Sequence, residues 1–122
     1  MQNESVQDLG VRTKQYALRI IKCYGALSRN VVAQVLGRQL LRSGTSVGAH
    51  YREARRARSV AEFVSKMEGA LQEADESAYW LELLIEAEIV TARRLGPLLQ
   101  ETYELVAIFA ASTKTAKRKR HY

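Results

Sequence analysis

The sequence predicts an all-α protein: an up-and-down antiparallel four-helix bundle built as a single domain. Three observations carry this. Apolar residues recur at spacings of three and four through four long stretches. Helix-forming Ala, Leu, Glu, Arg and Gln predominate, with a single proline and seven glycines in 122 residues. Nowhere do apolar and polar residues alternate strictly, as a half-buried strand would require. A chain of this length supports one core, burying roughly two thirds of its unfolded surface. The expected division is a bundle over residues 1–113 and a basic, disordered tail over 114–122.

The first helix is expected from about Val6 to Leu27, with Leu9, Thr13, Tyr16, Ile20, Tyr24 and Leu27 on one face. Ser28-Arg29-Asn30 breaks the pattern, and Ser28 or Asn30 is suited to cap the next helix. The second is expected from about Val31 to Ala57, on a seam of Val32, Val35, Leu36, Leu40, Val47 and Ala54. Beside that seam runs a polar stripe of Gln39, Ser43, Ser46, His50 and Glu53. Gly44 and Gly48 oppose helix formation by roughly 1 kcal/mol each, which close packing against another backbone would have to offset. A kink or local loosening is expected at Ser43-Gly44.

Ser59 with Glu62 has capping-box spacing and opens a third helix, expected to end near Glu88. Its inner face reads Val60, Phe63, Met67, Ala70, Leu71, Ala74, Ala78, Leu81, Leu84 and Ile85, and Trp80 is placed to serve either the core or an interface. Thr91 caps the fourth, with Leu95, Leu98, Leu99, Thr102, Leu105, Val106 and Phe109 facing in. Gly96-Pro97 falls within its first two turns, where proline is tolerated only at the start.

The net charge of +6 is unevenly spread. Residues 59–90 carry eight acidic side chains against Lys66 alone, a net of −7, so the remainder is +13. That asymmetry suits a polyanionic partner for the basic part, or pairing of basic with acidic helices within one chain or between copies. Cys23 stands alone, which excludes an intrachain disulfide and fits a reducing, cytoplasmic setting; it reads as a small buried hydrophobe. The first ten residues lack the basic and apolar regions of a leader, and no apolar run is long enough to span a bilayer, so no membrane partner is expected.

Catalytic patterns are thin. Gly44 to Gly48 has no Gly-Lys-Ser/Thr after it and no strand before it, as a phosphate loop needs. His50 with Glu53, and Glu73 with Glu76, have i, i+3 spacing, but no Glu-x-x-His pair stands in the order a di-metal bundle uses. His50 has Ser46 one turn back and no third group to orient its ring. The expectation is therefore no enzyme, no metal and no cofactor. Arg52, Arg55, Arg56 and Arg58, together with Lys114, Lys117, Arg118, Lys119 and Arg120, supply the cations that phosphate binding needs. With few aromatics interleaved, base reading should be weak.

The passage from Gln39 to Ala54 and that from Ser59 to Leu84 carry a set of elements that together are specific. They are Gln39-Leu40, Arg42-Ser43, Ser46-Val47-Gly48-Ala49, Glu53-Ala54, Glu62-Phe63, Glu73 and the run Tyr79 to Leu84. In these the chain resembles, at nearly full length, the bacterial four-helix-bundle proteins first noticed as reading frames within intervening sequences of 23S ribosomal RNA genes. His50 stands where that family usually has asparagine. The resemblance implies a homo-oligomer, a ring of five, and a relation to the accessory protein of diversity-generating retroelements, which works with a reverse transcriptase and nucleic acid. On this reading Gln39, Ser43, Gly44, Ser46, Gly48, His50, Glu53, Glu73 and Trp80 serve helix packing or assembly. Two functions stand side by side: a non-enzymatic oligomer binding RNA or DNA through its arginine cluster and tail, and a protein-protein scaffold without direct nucleic-acid contact.

Overall fold

The computed structural model describes residues 4–120, with side chains from Leu9 to Lys119. Four helices follow one another: α1 (Glu4–Gly25), α2 (Val31–Arg55), α3 (Val60–Glu86) and α4 (Ala92–Arg120). Among the described residues there is no strand. The connections are short and locally determined. Asn30 caps α2, its side-chain oxygen accepting from the Val32 and Ala33 N–H groups at 2.9 and 3.2 Å. Gln34 then donates to the Ser28 carbonyl and accepts from the Tyr24 hydroxyl, which fixes the α1–α2 corner. Ser59 caps α3 through the Glu62 N–H, while the Glu62 carboxylate reaches one residue beyond the usual box, to the Arg58 N–H. Thr91 caps α4 by accepting from the Arg94 N–H.

The α3–α4 corner is a Schellman turn. The Ile89 N–H donates to the Leu84 carbonyl and the Glu88 N–H to that of Ile85, with Glu88 in the left-handed region at φ 61°. Pro97 lies inside α4 and faces solvent.

Helix direction follows from pairs whose numbers run oppositely: Ser43 with Ser77 and Glu53 with Lys66 across α2–α3, Glu82 with Tyr103 and Glu68 with Lys117 across α3–α4. Consecutive helices pack along their lengths, whereas α1 and α4 meet over a short stretch. The core is formed by Leu9, Tyr16 and Ile20 of α1, Leu40, Val47 and Tyr51 of α2, Met67, Leu81 and Leu84 of α3, and Leu105 and Phe109 of α4, among others.

Across its middle runs a buried hydroxyl layer with one member from each helix. The Tyr16 hydroxyl lies 2.6 Å from that of Thr102, which donates to the Leu98 carbonyl; Ser43 lies 2.7 Å from Ser77, which can donate to the Glu73 carbonyl. Each chain of hydroxyls ends on a backbone acceptor, so all are satisfied without water.

The glycines of α2 pack as their composition demands. A Cβ at Gly44 would fall 2.7 Å from Ile20 Cγ1, one at Gly37 2.4 Å from Leu27 Cδ1, and one at Gly48 3.3 Å from Thr13 Oγ1. α2 is helical throughout Ser43 and Gly44. Three seam assignments need correction: Val32, Val35 and Val60 are 53%, 46% and 45% exposed. In α2 the buried stripe runs through Ala33, Gly37, Leu40 and Gly44, which puts Val35 on the opposite side of the helix and Val32 off the stripe; Val60 is the first residue of α3, and Val64, one turn on, takes the inward position.

Beyond residue 113, where a basic tail is expected, α4 continues to Arg120. Thr113 is buried and Ala116 half-buried against the bundle, Lys117 pairs with Glu68 at 2.7 Å, and cations suit the negative end of a helix. Residues 121 and 122 lie outside the described residues.

Candidate nucleic-acid interface

Antiparallel packing puts the C-terminal ends of α2 and α4 at the same end of the bundle, and both are basic. Arg52, Arg55 and Arg56 close α2, Arg58 lies in the turn that follows, and Lys114, Lys117, Arg118 and Lys119 close α4. Three contacts tie this end together. Tyr51 and Phe109 place their ring centroids 6.3 Å apart, Lys117 meets Glu68, and the Arg55 guanidinium lies over Gly10, where a Cβ would stand 3.0 Å from it. All eight cations are exposed. The side chain of Arg120 lies outside the described residues.

Three acidic side chains described at this end have partners of their own. Glu53 meets Lys66 at 3.3 Å, Glu68 meets Lys117, and Glu62 accepts from the Arg58 backbone. Among the described residues, Arg52, Arg55, Arg56 and Arg58 form no ion pair. These four exposed guanidinium groups have a fork geometry suited to phosphate oxygens. The acidic surface of α3 is met within the chain from another quarter. Arg42 bridges Glu73 at 3.4 Å and Glu76 at 2.5 Å, and the Trp80 indole donates to the same Glu76 carboxylate.

The residues assigned to packing or assembly separate into groups. Ser43, Gly44 and Gly48 are internal to the bundle's packing, and Ser46 donates to the Arg42 carbonyl of its own helix. Gln39 and Glu53 stay exposed and take no part in the core. His50 lies on Gly69 of α3, where a Cβ would stand 2.9 Å from Nδ1. Its Nδ1 is buried without a hydrogen bond, 3.7 Å from Glu53, and its Nε2 is 3.9 Å from Glu73, both beyond hydrogen-bond range.

Sequence reasoning missed Gly69, Ser77 and the Arg12 clamp. Arg12 donates from Nε and Nη2 to Glu101 at 2.7 and 2.8 Å and from Nη2 to Glu104, holding α1 to α4 and raising its own pKa through these bonds. Gly69, a glycine inside a strong helix pattern, carried the same signal that singled out Gly44.

These features define a class: an antiparallel four-helix bundle with a basic cluster at one end. The chain belongs to the family described as 23S rRNA-intervening sequence protein, whose model matches residues 8–111. It is also similar to a solved structure from Bacteroides thetaiotaomicron, described as a protein with unknown function from the S23 ribosomal protein family. The two are 36% identical, superpose with a TM-score of 0.82, and the match covers 88% of this chain and 96% of that one. No curated protein matches the chain. No helix among the described residues is long and apolar enough to cross a membrane.

Proposed function

We propose that this protein is a non-enzymatic RNA-binding bundle that holds phosphates at its basic end and acts as a homo-oligomer. The observation that carries the reading is the convergence of the Arg52–Arg58 cluster, which forms no ion pair among the described residues, with the basic last turns of α4, where Lys117 meets Glu68. The family's name, which places its genes within ribosomal RNA, favours RNA over DNA as the polyanion. Helical continuation of the basic segment, packed on the bundle through Thr113 and Ala116, fixes the spacing of its cations. Self-association, as a ring of five by the resemblance, would repeat this end around an axis and raise avidity without new contacts. The exposed Val31, Val32 and Val35 on α2 supply apolar surface for such assembly.

The test is fluorescence anisotropy of a labelled single-stranded RNA across a salt series, with the oligomer's mass measured in parallel. Affinity should fall steeply with salt, and removing one phosphate-binding cation should flatten the log-log slope by about 0.7. Arg55→Gln with Arg56→Gln should weaken binding to all sequences alike. Absence of binding at low ionic strength would sink the reading, and a monomer at micromolar concentration would remove the assembly part of it.

A further inference from the structure

At the end of the bundle opposite the arginine cluster, a groove of about 330 Å³ opens between the C-terminal part of α1 and the first turns of α4. Its cause lies in the topology. The two helices are held together at mid-length by Tyr16 with Thr102 and by the Arg12 clamp. Leu27, Val90 and Leu98 give the groove an apolar wall, and Arg19, Lys22 and Arg94 stand around it. No acidic side chain lines it, and among the described residues none of the three cations forms an ion pair.

The lining decides the chemistry. Apolar wall with cationic rim matches a molecule with an apolar body and an anionic head. No aromatic ring, hydroxyl or amide side chain lines the groove, so stacking on a nucleobase and hydrogen-bonded recognition of a sugar have no partners there. The volume is at the small end for ligand sites, which suits one aliphatic chain of medium length. We propose that this groove is a binding site for a free monoacyl anion, its chain along Leu27, Val90 and Leu98 and its carboxylate among Arg19, Lys22 and Arg94. The site stands apart from the basic end and does not rest on RNA binding.

Cys23 gives it a private reporter, being the chain's single cysteine and part of the groove's lining. The experiment measures the rate at which N-ethylmaleimide labels Cys23 in the full-length protein, with decanoate or 1-decanol added. At about ten times its Kd, decanoate should slow labelling about tenfold, because only unoccupied sites react. The neutral alcohol should not match it. Replacing Arg19→Gln, Lys22→Gln and Arg94→Gln together alters exposed positions only, and circular dichroism checks that the helices persist; protection should then be lost. Labelling unaffected or accelerated by decanoate, equal protection by 1-decanol, or undiminished protection in the triple variant would each overturn the proposal. Protection by phosphatidylglycerol vesicles without protection by free decanoate would overturn it in favour of a membrane surface.

Discussion

The hydroxyls of Ser43 and Ser77 lie 2.7 Å apart in the interface of α2 and α3, both fully buried, and their remaining bonds give the pair a direction. Ser77 has a good second acceptor in the Glu73 carbonyl at 2.9 Å, whereas Ser43 has only the Leu40 carbonyl at 3.4 Å. Ser43 therefore donates to Ser77, which donates onward to its own helix. Ser77→Ala should cost about 1–2 kcal/mol by stranding the Ser43 hydroxyl, and Ser43→Ala about 0.5 kcal/mol, because Ser77 keeps its carbonyl. Urea denaturation of the two variants checks the order; equal losses would contradict the direction assigned.

The glycine seam between α1 and α2 should respond unevenly to alanine. At Gly44 the new methyl meets Ile20 Cγ1, Cγ2 and Cδ1 at 2.7, 2.9 and 3.0 Å, in a side chain with no exposed surface. Overpacking of about 1–3 kcal/mol should outweigh the roughly 1 kcal/mol gained in helix propensity. At Gly48 the nearest atoms are 3.3–3.4 Å away, so Gly48→Ala should be near neutral. Thermal unfolding of both variants distinguishes them.

Glu88 occupies the left-handed position that a Schellman turn normally gives to glycine. The side chain is exposed and the strain unrewarded by any packing. Glu88→Gly should raise stability by about 1 kcal/mol, read as an increased denaturation midpoint with an unchanged slope.

Burial pushes the Tyr16 phenol up to about 12, with the Thr102 and Ser77 hydroxyls pulling the other way. A raised value means that the folded protein holds this proton after the unfolded chain has released it. Its contribution is fully present below about pH 10 and is lost as pH rises towards 12, by about 2–3 kcal/mol in all. Tyr16→Phe should flatten the decline in stability between those limits, as measured by denaturation at successive pH values.

The four helices are legible in the sequence because their seams obey one period, and their starts because Asn30, Ser59 and Thr91 are strong caps. Side-chain size misleads at the start of α2, where the buried stripe runs through the small residues Ala33 and Gly37 and the larger Val32 and Val35 face away from it. Val60 reads as internal but is the first residue of α3 and stays exposed, while Val64 one turn on is buried. Composition likewise misleads for the segment after Thr113. Thr113 and Ala116 are the residues it turns to the bundle, and a charge-rich segment gives little sign of so narrow a contact. The arginine cluster is visible as a set of residues, whereas its meeting with the end of α4 depends on the direction of every helix between them.

The brevity of the meeting between α1 and α4 bears on how the chain folds and opens. Every extensive interface joins helices adjacent in sequence, so most of the native packing can form without closing a long loop. Such a topology belongs among fast folders, with relaxation in the microsecond to millisecond range. The Tyr16–Thr102 and Arg12–Glu101 bonds, spanning 86 and 89 residues, then become the closing step. In the native state, α1 is the element that should exchange its amide hydrogens ahead of α2 and α3, opening as a hinged flap while the central hairpin stays folded.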